Sequence, residues 1–240
     1  MGRRSLGVAL AAGTVLALGQ GTAIGSPGDV QCTGAFSGTA RDLIVPANTQ
    51  CIVDGATITH DLIVEQNGAL AVENTTIGHD LTAHQAQNIE TGFGGGNPGP
   101  VTVGHDVRIQ GSDAPSGIAY DVCDTSIKHD LQISQTNVQF EIEVGDKGTQ
   151  LDEFCALSAS PPDQIGHDLV VSGNTAGRFD IGDNTVGHDL VVQNNTATTD
   201  IDVSDNTVGH DAVCGSNTPP VSKDGPEDGP NHAGHSNSCG

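Results

Sequence analysis

Apolar side chains recur two residues apart in short β-branched runs, and the runs themselves return at near-regular intervals along the chain. Leu43, Leu62, Leu81, Val107, Leu131, Leu169, Leu190 and Ala212 occupy one such position. Two residues further on stand Val45, Val64, Ala83, Ile109, Ile133, Val171, Val192 and Cys214. Four residues before the first set lie Ile58, Ile77, Val103, Ile127, Ile165, Val186 and Val208. A further pair of positions holds Cys51 and Val53, Leu70 and Val72, Tyr120 and Val122, Phe179 and Ile181, and Ile201 and Val203. A period of two in short runs predicts strands, with the spaced residues facing inward.

The runs are anchored on a repeated tripeptide, His-Asp-Leu or a near copy, which starts at His60, His79, His105, His129, His167, His188 and His210, with Arg41-Asp42-Leu43 as an earlier variant. Successive copies lie 19, 19, 26, 24, 38, 21 and 22 residues apart. A base period near 20 with local length variation predicts a solenoid with insertions at a corner. The fold expected is an all-β, single-stranded right-handed parallel β-helix of about eight rungs over residues 26–217, with rungs about 4.8 Å apart. Asn48, Asn67, Asn174, Asn195 and Asn217 fall seven residues after the motif start. Asparagine tolerates the left-handed backbone of a sharp turn, and stacked asparagines can hydrogen-bond along a column. The extra length falls in a Gly/Pro-rich stretch, Gly92 to Pro100, and a mixed acidic one, Val144 to Pro162.

Cysteine spacing agrees with this register. Cys32 and Cys51 each lie nine residues before a motif start, so adjacent rungs bring them inside the ~4.4–6.8 Å Cα window of a disulfide. By proximity, Cys123 is expected to join Cys155, and Cys214 to join Cys239. The last bond would tie a loop-like or disordered tail, residues 218–240, over the end of the solenoid.

Composition narrows the partners. Arg3, Arg4 and the apolar stretch after them read as a secretory signal over residues 1–25, too short to be a membrane anchor. Removing it takes two of the eight basic residues and none of the thirty acidic ones, so the formal charge moves from −22 to −24. Nothing on such a chain neutralises phosphates, which excludes nucleic acid, and no later segment is long and apolar enough to span a bilayer. Five Phe, one Tyr and no Trp leave little for the aromatic platforms of a lectin. A secreted, extracellular protein facing an extracellular polymer or protein is the expectation.

The candidate chemistry lies in two columns at the repeat's corner. His60, His79, His105, His129, His167, His188 and His210, with Asp61, Asp80, Asp106, Asp130, Asp168, Asp189 and Asp211, would make ladders able to ligate Zn or Ca. Gly before five of these His, and Arg41 in their column, predict that the imidazoles point outward. The alternative is a solvated corner with His and Asp paired locally. Stacked carboxylates are expected to repel, raising their pKa values as a coupled set. A polysaccharide lyase or hydrolase would need one distinguished carboxylate pair. Glu141, Glu143, Asp152 and Glu153 form the best cluster, and the scarce basic residues that could polarise a uronate are Arg108, Lys128, Lys147 and Arg178. No column reads as the Thr-x-Thr ladder of an ice-binding surface.

The repeats Asn184-Thr185-Val186-Gly187-His188-Asp189-Leu190 and Asn206-Thr207-Val208-Gly209-His210-Asp211 resemble those of secreted actinobacterial parallel β-helix proteins of unknown function. The resemblance implies a right-handed parallel β-helix with a cysteine-closed end and no established activity. His stands here where a second Gly is usual in that group.

Overall fold

A computed structural model describes residues 28–92, 99–111, 118–145, 155, 162–222 and 229–239. The expected signal segment, most of both insertions, and Lys147, Asp152 and Glu153 lie outside the described residues. The chain winds as a parallel β-solenoid of about eight turns, with ten-, eight- and nine-stranded parallel sheets on its sides. One rung illustrates the others: Thr57–Ile58 belongs to the third sheet, Leu62–Val64 to the first and Ala69–Glu73 to the second. No helix among the described residues is long and apolar enough to cross a membrane.

The predicted columns stack in register. Leu62 pairs with Leu81 and Leu81 with Val107, and Ile58 pairs with Ile77. Leu43, Leu62, Leu131, Leu169 and Leu190 are fully buried, as are Val45, Ile58 and Val192. The interior is a set of aliphatic files along the solenoid axis, and burying each such side chain contributes roughly 1.5–3 kcal/mol. Tyr120 and Phe179 fill the second-sheet file, and the Tyr120 hydroxyl donates to the Ala86 carbonyl at 2.7 Å. Burial pushes that phenol up to about 12.

The extra residues fall between two different pairs of sheets. Segments 93–98 and 146–161 follow second-sheet strands, whereas 112–117 follows a first-sheet strand. The second-sheet residues of the interrupted rungs are therefore Ile89 and Thr91, and Ile142 and Val144, displaced from the spacing the other rungs keep.

The asparagine column divides into two roles. Asn48 and Asn67 take the left-handed turn, with φ of 59° and 57°. From the His79 rung onward the turn moves one residue earlier, to Gln85, Gly111, Gln135, Gly173, Asn194 and Ser216. Asn174 and Asn195 are thereby turned inward and buried. Asn174 Nδ2 donates to Asn195 Oδ1 at 3.1 Å and to the Ile133 carbonyl at 3.0 Å. A second buried ladder runs through Asn184, Asn206 and Asn231.

The segment expected to leave the solenoid after residue 217 returns to it. His232–Ala233 adds to the third sheet and Ser236–Asn237 to the first. Asn231, Gly234 and His235 repeat the motif, but Ser236 replaces its Asp, which hides the copy.

Disulfides join Cys32 to Cys51, Cys123 to Cys155 and Cys214 to Cys239, with Cα separations of 5.6, 5.2 and 4.9 Å. The first pair forms with a shifted register: Ala35 pairs with Ile52, so Cys32 lies two residues before the position opposite Cys51. Non-reducing peptide mapping should return these three pairs; a Cys32 link to any other residue would contradict the winding of the first rung. Bonds of this kind place the folded chain in an oxidising, non-cytosolic setting.

Candidate functional site

The corner between the third and first sheets carries the repeated His and Asp. Just before the His the chain must pass close to the rung below. A Cβ on Gly187 would come 2.1 Å from the Gly166 carbonyl oxygen, so glycine permits the approach there. Each His amide then donates to the carbonyl at the same place in the preceding rung, as His60 does to Arg41 at 2.9 Å and His79 to His60 at 3.0 Å. The next amide, that of Asp, is met by a side chain instead. Asp80 N–H donates to Asp61 Oδ1 at 3.1 Å, and the pattern repeats from Asp61 on Asp42 to Asp211 on Asp189. Aspartate is thus written into the repeat because its carboxylate supplies the acceptor that this turn requires.

The same oxygen binds the imidazole above it. Nδ1 of His60, His79, His105, His129, His167, His188 and His210 lies 2.9–3.0 Å from Oδ1 of the preceding rung's Asp. Each of these Nδ1 atoms also sits 3.0–3.4 Å from Oδ2 of its own rung's Asp. Facing two carboxylates, Nδ1 is the donor, so the neutral ring is the Nδ1–H tautomer with the Nε2 lone pair directed away from the Asp row. The side chains are 44–47% exposed, so the rings do point outward. They stack with His235 as an eighth member, centroids 4.9–5.1 Å apart and planes within 7° of parallel. The rung pitch sets this spacing. His235 binds Asp211 at 2.8 Å and was hidden in the sequence by the missing Asp beside it.

Four carboxylates of the column are lowered in pKa, not raised. Asp42 is held below its ordinary pKa chiefly by the Asp61 amide, and Asp211 is lowered to about 2 by the Ser236 hydroxyl and the His235 ring. Burial opposes ionisation of Asp106 and Asp189, yet amide and imidazole donors still draw both below 3.8. Donors contributed by the next rung overturn the expectation of raised values at Asp106, Asp189 and Asp211. Asp106 is the most enclosed of the column, and the Arg108 guanidinium also grips it. His129 is raised above 6.5 by its bond to Asp106.

These shifts define a pH window. Stability from the lowered carboxylates is present above 3.8 and is lost as pH falls through the folded values, for Asp211 down to about 2. Stability from His129 is complete below 6.5 and is lost as pH rises through its raised folded value. Asp42, Asp106, Asp189, Asp211 and His129 should therefore contribute most between about pH 4 and 6.5. Chemical unfolding of wild type and His129→Gln across pH 5–9 checks this, with the gap between them narrowing towards the alkaline end.

The second cluster lies elsewhere. Glu141 and Glu143 stand on the second sheet, and Glu143 Oε1 accepts the Cys155 amide at 2.9 Å. Arg108 and Arg178 are paired with Asp106 and Asp180. Comparison of the chain with protein-family models, curated proteins and solved structures finds no match in any of the three.

Proposed function

We propose that this chain is a secreted, non-catalytic solenoid acting as a surface-, matrix- or envelope-associated interaction module, with the imidazole column as its binding face. One observation carries the reading: the same His–Asp unit recurs at every rung, with parallel rings and matching partners. A linear array at 4.9–5.1 Å suits an extended partner with many weak contacts in sequence. Retention on a panel of uronic-acid and neutral polysaccharides, without depolymerisation, is the expected result. The H129Q/H167Q/H188Q variant should lose at least about tenfold in retention, consistent with the multiplied effect of linked contacts. Product release that disappears in E141Q or E143Q would replace this reading with a polysaccharide lyase or hydrolase.

A second reading, a divalent-cation-binding solenoid, draws on the triads such as His60, Asp61 and His79, whose ligand atoms lie within 4.8 Å of one another. Their Nδ1 and Oδ1 atoms are already bonded to each other, so an ion must use Nε2 or displace a proton. Parallel rings 4.9–5.1 Å apart cannot both reach one Zn at about 2.0–2.1 Å unless one ring turns. On this reading Zn raises the unfolding temperature at pH 7.5, and the gain disappears at pH 5.5, where imidazole protonation competes. Indifference to Zn at both values leaves the column as a polymer-facing corner.

A further inference from the structure

The outer face of the second sheet carries a file that differs from every other outward position. Its central residues run Ile52, Ala71, Glu90, Asp121, Glu143, Asp180 and Asp202, paired one rung to the next. Ile52 is exposed, as an outward residue on a solenoid should be. Asp121 and Glu143 are fully buried, and Asp180 and Asp202 nearly so. Arg178 pairs with Asp180, and Asn88 donates to Glu90 at 2.6 Å. The Cys123–Cys155 disulfide brings the Cys155 amide onto Glu143.

Asp121 is the exception. Both of its carboxylate oxygens are buried, and neither has a hydrogen-bond partner among the described residues. An enclosed, unpaired carboxylate is strongly disfavoured in its ionised form. Its described neighbours raise it further: burial first, and then Glu143, Glu141 and Glu90, push its pKa well above 3.8. Two oxygens without donors, flanked one rung away by carboxylates on either side, are an arrangement that a hard cation satisfies. Rungs about 4.8 Å apart let one ion with bonds of about 2.3–2.6 Å reach both Asp121 and Glu143.

We propose that Asp121 and Glu143, with Glu90 and Glu141 beside them, bind a hard divalent cation of the Ca²⁺ class on the outer face of the second sheet. The ion would take both Asp121 oxygens and bridge to Glu143, closing the rung that the Cys123–Cys155 bond already staples. The site is independent of the imidazole column, which runs along the corner between the third and first sheets.

Tyr120, the neighbour of Asp121, is the only tyrosine in a chain without tryptophan. Tyrosine-sensitised Tb³⁺ emission therefore reports on ions bound near this part of the solenoid, and the site variants assign it to Asp121. With the disulfide-bonded full chain at pH 7.5, Tb³⁺ emission should saturate and be displaced by Ca²⁺. It should be lost in Asp121→Asn, weakened at least tenfold in Glu143→Gln, and unchanged in Glu65→Gln. Ca²⁺ should raise the unfolding temperature of wild type but not of Asp121→Asn. In EDTA the Asp121→Asn protein should unfold no lower than wild type, because the amide removes a buried charge. Absent emission, emission undiminished in both site variants, or an equal Ca²⁺ shift in wild type and Asp121→Asn would each overturn the proposal. If Asp121→Asn does not fold, Glu143→Gln decides by the same two measurements.

Discussion

Replacing Asn206 with alanine should lower stability by about 3–5 kcal/mol, the sum of several buried groups left unpaired at about 1–3 kcal/mol each after partial relaxation. The amide is fully enclosed. Its Nδ2 donates to the Ile181 carbonyl at 2.8 Å, the Ser204 carbonyl at 2.9 Å and Asn231 Oδ1 at 2.8 Å. Its Oδ1 accepts from the backbone and side-chain amides of Asn184 at 3.1 and 2.9 Å. Asn48 makes the contrast, since it is exposed and bonds only to Asn67 Nδ2 at 3.1 Å among side-chain partners. Its alanine variant should cost about 1 kcal/mol, chiefly for holding a left-handed backbone. Guanidinium unfolding of both variants provides the comparison, and equal losses would contradict the division of the asparagine column.

A second large effect is expected at Asp106. Its Oδ1 accepts the Asp130 amide at 3.0 Å and His129 Nδ1 at 2.9 Å, and its Oδ2 faces His105 and Arg108. Alanine leaves the Asp130 amide without its acceptor and Arg108 without its closest partner. A loss of about 2–4 kcal/mol follows from removing charge-assisted bonds at an enclosed site. Asparagine keeps an acceptor for the amide and should recover about half of that, in line with the lower value of a neutral bond. Asp189, whose side chain is 28% exposed, should lose only about 1 kcal/mol on the same change, because water replaces part of its partners. Thermal or chemical unfolding of the three variants tests the ranking, and a loss at Asp189 as large as at Asp106 would contradict it.

The inward files were legible from the sequence because burial acts on single positions. Leu at one site and Val or Ile two residues on recur wherever a rung passes the interior. The His and Asp corner was also legible as a column, and the outward direction of the rings followed from glycine and Arg41. The charge state of that column was not. Spacing shows that Asp61 lies above Asp42, but not that its own amide lacks a backbone acceptor and takes Asp42 Oδ1 instead. Amide donors of that kind help hold Asp42, Asp106, Asp189 and Asp211 below their ordinary range, where a repelling row would raise them. The last rung escaped because Ser236 interrupts the motif while Asn231, Gly234 and His235 preserve its geometry. The buried second-sheet acids escaped for a different reason. Insertions shift Glu90 and Glu143 away from the fixed spacing, so only the strand pairing aligns them with Asp121.

The central claim is that one continuous imidazole–carboxylate ladder, built by Asp accepting from the rung above, forms the chain's distinctive face. Long-range ¹H–¹⁵N correlation spectra of the histidine rings at pH 8 test it most directly. The Nδ1–H tautomer is predicted for His60, His79, His105, His129, His167, His188, His210 and His235, with Nε2 unprotonated. His84 and His232, outside the stacked column, serve as references within the same spectrum. Eight rings sharing the Nδ1–H form would support the ladder; rings in the Nε2–H form, or in the same mixture as the references, would contradict it.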